Sequence, residues 1–161
     1  MSKIDKLGLC NFKFFREEEV ISLEGKNLLL YGENGSGKSS LFWGLYTLLE
    51  ASLKTKQKTD LYFESIKDSD ESLVNIYAKE IIDTNSQKKH YNSYIKVKDD
   101  NGMQYTLSLL TNNIYNNSNA IESRKATDFI NYQAIFKFQE FRNSECPNLY
   151  DVFCYSILPY T

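Results

Sequence analysis

The chain has 161 residues, 19 basic and 21 acidic side chains, a net charge of −2, and a composition that is 42% hydrophobic and 14% aromatic. That is the length of one domain, and so much apolar content excludes a disordered chain. No apolar run is long enough to span a bilayer, no basic stripe marks a nucleic-acid face, and Cys10, Cys146 and Cys154 are too scattered for a disulfide framework or a zinc site.

The first six residues, Met-Ser-Lys-Ile-Asp-Lys, carry no apolar export segment, so reduced thiols in a cytoplasmic protein are expected. Ile4 to Phe15 is apolar and aromatic with partial alternation and reads as a strand. Arg16 to Glu19 is a charged turn, and Val20 to Leu23 a second short strand. Glu24-Gly25-Lys26 is a tight turn. Asn27-Leu28-Leu29-Leu30-Tyr31 is a continuous apolar run of the kind that fills a strand buried on both faces. A glycine-rich loop follows at once. Lys38 to Glu50 then reads as a helix, with Leu41, Leu45 and Leu48 on one face and Phe42 and Leu49 beside it.

The middle of the chain is less patterned. Lys54, Lys56 and Lys58 read as a solvated loop after the helix. Ser72 to Ile82 is expected to form a short helix. Ser93 to Asp99 alternates, Asp100-Asn101-Gly102 is a strong turn signal, and Met103, Tyr105, Leu107 and Leu109 alternate again, which together predict a β-hairpin. Asn112 to Asn119 holds five asparagines and reads as a surface loop. Ala134 to Phe138 looks like a strand, and Pro147 opens a helix that Pro159 stops.

Gly32-Glu33-Asn34-Gly35-Ser36-Gly37-Lys38-Ser39 meets the pattern G-x-x-x-x-G-K-[S/T] in full, between an expected strand and an expected helix. A triphosphate carries several negative charges that need donors already oriented. Gly32, Gly35 and Gly37 let the backbone turn tightly and bring its N–H groups close to phosphate oxygens. The helix start adds unpaired N–H groups and a positive dipole end. Lys38 supplies a mobile full charge for the β- and γ-phosphates and is the catalytic candidate. The Ser39 hydroxyl is placed to ligate Mg²⁺. Ser36 and Ser40 can add hydrogen bonds to phosphate, and Asn34 faces the γ-phosphate side. A small nucleotide kinase fits less well. Two strands precede the loop here, and only Arg16, Arg124 and Arg142 are arginine, whereas such kinases clamp phosphates with several guanidinium groups.

The early strands, Asn11-Phe12-Lys13-Phe14-Phe15 and the loop Gly32 to Ser39 resemble the ABC-type ATPases of the SMC/RecF/OLD group. The resemblance covers residues 1–50 and is nearer to the bacterial ATP-binding relatives of RecF and OLD than to true SMC proteins. It implies an α/β fold, a P-loop NTPase lobe with a mixed sheet whose central strand feeds the loop and an antiparallel β subregion at its side. It implies ATP, with Mg²⁺, over GTP, and roles such as DNA repair or anti-phage defence. It implies a homodimer or a C-terminal lobe as partner, and admits DNA as a partner of a longer form. The family also carries a glutamine that senses Mg²⁺ and attacking water. Gln139 follows a strand-like run where such a residue could fall, with Gln133 as a rival.

A P-loop ATPase needs an apolar strand ending in Asp, with a Glu beside it in ABC proteins. Ile81-Ile82-Asp83 and Val97-Lys98-Asp99-Asp100 are too short or too alternating to be that strand, and no LSGGQ-like segment is present. His90, the one histidine, precedes the hairpin rather than lying late in the chain. The expectation is therefore one nucleotide-binding domain over 1–161, the N-terminal lobe or half of a longer ATPase, that binds nucleotide and hydrolyses it very slowly alone. A non-catalytic nucleotide-responsive interaction module fits the same residues.

Overall fold

The computed structural model describes residues 3–82 and 89–127. Residues as far as Arg124 form one compact unit. Its centre is an antiparallel sheet. Strand β1 (Ile4–Cys10) pairs with β2 (Glu19–Ser22) on one side and, on the other, with the first strand of the expected hairpin region. That hairpin forms as read, β5 (Tyr94–Asp99) and β6 (Gln104–Ser108), and the sheet order is β2-β1-β5-β6. Its turn is closed by Asp99, which is buried and accepts hydrogen bonds from Asn101 N–H (3.1 Å) and Met103 N–H (2.8 Å).

Period-two alternation decides the core face. Leu7 and Leu9 of β1, Ile95 and Val97 of β5, and Tyr105 and Leu107 of β6 all point the same way and are buried. Helix α1 (Lys38–Glu50) lies on that face through Leu41 and Leu48, with Leu45 packed partly against the core. Phe12, Ala51, Phe63, Ile114 and Ala120 complete the cluster.

Four expectations fail. The first concerns the mixed sheet. Every strand pairing among the described residues is antiparallel, and Asn27–Tyr31 carries no regular secondary structure. Leu29 is 93% and Tyr31 100% exposed. An apolar run becomes a strand only where a neighbour completes its ladder. After β2 the chain turns away instead: Lys26 N–H closes on Leu23 O (2.8 Å), and Glu24 and Gly25 are left-handed (φ 50 and 65).

The second is β1, which ends at Cys10 rather than Phe15 because Asn11 and Lys13 adopt left-handed φ angles of 45 and 46. The third is the helix expected over Ser72–Ile82. Asn75 Oδ1 accepts Tyr77 N–H (2.9 Å), a local capture that competes with helical bonding, and Glu80–Ile82 instead forms β3, paired with β4 (Lys89–Tyr91). The fourth is the loop expected over the lysine stretch, which instead contains the short helix α2 (Lys56–Asp60), while Lys56 and Lys58 are exposed as read. Lys56 Nζ donates to Asp60 Oδ1 (2.7 Å) and Leu109 O (2.9 Å), and Lys54 Nζ to Tyr62 Oη (2.7 Å).

The asparagine-rich stretch is also more ordered than a plain loop. Asn117 Oδ1 accepts the N–H groups of Asn119 (3.1 Å) and Ala120 (3.2 Å) and so caps α3 (Ser118–Lys125). The strand expected at 134–138 and the helix opened by Pro147 lie outside the described residues.

Candidate functional site

The expected helix after the glycine-rich loop has the predicted bounds, and the loop's geometry follows from its composition. Gly37 is the N-cap residue of α1, at φ 89 and ψ 0, with no side chain capping the helix. Gly35 is likewise left-handed, at φ 85. A side chain at either position would be strained. The first helical bond runs from Leu41 N–H to Gly37 O (3.1 Å), so the amides of Lys38, Ser39 and Ser40 precede the intrahelical ladder. The first turn holds no acidic residue. A lysine there opposes the helix dipole, a cost that a bound anion would offset.

Lys38 bends back over the loop. Its ammonium donates to Gly32 O (2.7 Å), Glu33 O (2.6 Å) and Ser36 Oγ (3.2 Å), which engages all three of its protons. Ser36 N–H in turn donates to Glu33 O (3.3 Å). Asn34 and Gly35 form the exposed tip of the loop, and Ser39 is exposed at the helix start. Ser40 is buried, and its Oγ accepts the backbone N–H of Phe14 (3.3 Å). Its own hydroxyl hydrogen remains a donor for another group. Gly32, Asn34, Gly35, Ser36, Gly37, Lys38, Ser39 and Ser40 are thus contiguous around one helix start. Gln139 and Gln133 lie outside the described residues.

A second wall of the site was not expected. The turn after β1 leans on the glycine-rich loop: a β-carbon built on Gly37 would meet the Phe14 ring. Lys13 lies 5.4 Å from the centroid of the Trp43 ring of α1, and burial holds its ammonium below the usual lysine range. Beyond Phe14 opens a recess of about 650 Å³, lined by Lys13, Phe14, Arg16, Asn75 and Tyr77 among others. The Arg16 guanidinium stacks on Tyr77 at 4.0 Å. The signal that could have found this wall was Phe14-Phe15. Adjacent aromatic residues cannot both face the core of one strand, so the alternation breaks there.

The donor set is cationic and amide-rich, which fits a polyphosphate. The Ser39 hydroxyl is a hard neutral oxygen, the kind of single protein ligand that Mg²⁺ accepts when phosphates and waters complete its shell. Among the described residues, no three His, Cys, Asp or Glu side chains gather as a metal site of their own. No helix among them is long and apolar enough to cross a membrane.

A family profile described as an AAA domain matches residues 6–148. No curated protein and no solved structure matches the chain.

Proposed function

The chain belongs to the AAA domain family of P-loop NTPases, and from that premise we propose that it binds ATP as the Mg²⁺ complex through residues 32–40. The observation that carries this reading is Lys38, whose ammonium is turned onto the glycine-rich loop at the uncapped start of α1. An incoming triphosphate would exchange the loop carbonyls for phosphate oxygens around the same ammonium. The amides of Lys38, Ser39 and Ser40 would bind phosphate oxygens with the helix dipole behind them. Mg²⁺, when bound, screens the phosphate charge, and the Ser39 hydroxyl is this chain's ligand for it.

The finer proposal is an ATPase lobe of the SMC/RecF/OLD-like group, acting in the cytoplasm in DNA repair or anti-phage defence. Asn11-Phe12-Lys13-Phe14-Phe15 supports it, because that segment sits against the phosphate loop. In this reading hydrolysis draws its acidic groups from a C-terminal lobe, with γ-phosphate contacts added by a second copy, and DNA is a partner of the assembled protein. The alternative is a nucleotide-responsive module that binds and does not hydrolyse.

The test is calorimetry of Mg-ATP binding by the parent chain and by Lys38→Ala, with phosphate release measured in the same samples. Binding by the parent that Lys38→Ala abolishes supports the proposal. Parent and variant binding alike, or neither binding, overturns it for this chain. Phosphate release by the parent separates an ATPase from a module that only binds.

A further inference from the structure

The turn that walls the phosphate loop is strained. Asn11 and Lys13 both have positive φ, and neither is glycine. Asn tolerates that conformation because its short polar side chain can bond locally, which the long Lys side chain does not do. Such residues persist only where their surroundings over-determine them.

Here the over-determination comes from residues 73–77. Lys13 N–H donates to Leu73 O (2.7 Å) and Asn75 N–H to Asn11 O (2.9 Å), bracketing an antiparallel bridge between Phe12 and Val74. The Asn75 side chain adds what the backbone cannot. Its Nδ2 donates to Lys13 O (2.5 Å) while its Oδ1 accepts Tyr77 N–H (2.9 Å). Asn75 is buried, and it touches no part of the phosphate loop's own hydrogen-bond set. One residue further along, Phe14 gives its N–H to Ser40 and sets its ring against Gly37.

We infer that Asn75 is a positioning residue for the nucleotide site: it locks the left-handed turn at Lys13 and so holds Phe14 against Gly37 and Ser40. The inference rests on the proposed ATP site. Removing the Nδ2–H donor frees the Lys13 carbonyl, the turn relaxes toward negative φ, and Phe14 and the Lys13 ammonium swing away from α1.

Trp43 reports this directly, because it is the single tryptophan of the chain and Lys13 lies over it. A nearby ammonium concentrates iodide and leaves neutral acrylamide indifferent. Asn75→Asp keeps the acceptor for Tyr77 N–H and turns the donor facing Lys13 O into a second acceptor. The expected result is a cooperatively melting protein that binds Mg-ATP about tenfold more weakly, the size of one relaxed strained contact. Its iodide quenching of Trp43, taken relative to neutral acrylamide quenching, should fall to the ratio of Lys13→Gln. Parent affinity in folded Asn75→Asp overturns the inference. If the parent itself fails to bind ATP, the proposed site is what fails. Iodide quenching then decides the placement of the turn alone, reduced quenching supporting it and parent quenching overturning it. If Asn75→Asp does not fold, Phe14→Ala decides instead, since that ring is more than half exposed. Weakened binding supports the inference, and parent affinity overturns it.

Discussion

A β-carbon at Gly37 would lie 2.7 Å from Cδ1 of Phe14, so the N-cap of α1 and the turn after β1 share one space. Position 37 is therefore constrained twice, by its left-handed φ and by this ring. Gly37→Ala should cost about 1–2 kcal/mol through φ alone, with displacement of Phe14 added to it. Urea unfolding would measure the loss. The double variant Gly37→Ala, Phe14→Ala should recover the steric part and keep the φ part. Full recovery would mean that the backbone at 37 relaxes without cost.

Ser39 should couple nucleotide to metal. Parent affinity for ATP is expected to fall about tenfold when Mg²⁺ is chelated, as the loss of one good contact would give. Ser39→Ala should bind Mg-ATP no better than the parent binds ATP in chelator, and chelator should change the variant little. A variant that keeps the parent's full Mg²⁺ dependence would place the metal away from this hydroxyl.

Close approach also governs the middle of α1. A β-carbon at Gly44 would lie 2.8 Å from Leu9 Cδ2 and 3.4 Å from its Cδ1, and Leu9 is packed in the core with little room to retreat. Alanine gains about 1 kcal/mol of helix propensity over glycine, but overpacking costs about 1–3 kcal/mol. The steric cost should win, and Gly44→Ala should be destabilising. In a Leu9→Ala background the same change should become neutral or stabilising. Unfolding free energies for the four proteins complete the cycle.

Cys10 predicts a pH effect. Burial pushes its thiol above the ordinary range, with the Glu18 carboxylate adding to the rise and a hydrogen bond with Tyr94 opposing it. The fold therefore favours the neutral thiol. Below the unfolded chain's thiol pKa both states are protonated and no pH dependence arises. Above it, from about pH 8.5 upward, the unfolded chain ionises first and stability falls toward the folded pKa. The stability difference between the parent and Cys10→Ala should shift against the parent between pH 8 and 10, as read by urea unfolding. A constant difference would contradict the raised thiol.

The legible parts of this molecule are those whose information is local. Lys38–Glu50 repeats Leu41, Leu45 and Leu48 at helical spacing, and the structure returns the same bounds. Residues 94–108 alternate about Asp100-Asn101-Gly102, and the hairpin follows. The short elements were not legible. The five residues of α2 are too few to show a period, β3 is exposed along its length, and α3 depends on one asparagine cap among several asparagines.

By itself, the sequence determined the glycine-rich turn into α1, because its glycines and the helix that follows carry their conformational preferences in consecutive residues. Only the tertiary structure decided what stands against that loop. Asn75 meets Lys13 across 62 positions, and Phe14 meets Ser40 across 26. It also decided that Leu28 to Tyr31, the most strand-like run in the chain, pairs with none of the described strands. A strand is a relation between two segments, and hydrophobicity in one of them cannot supply the other's hydrogen bonds.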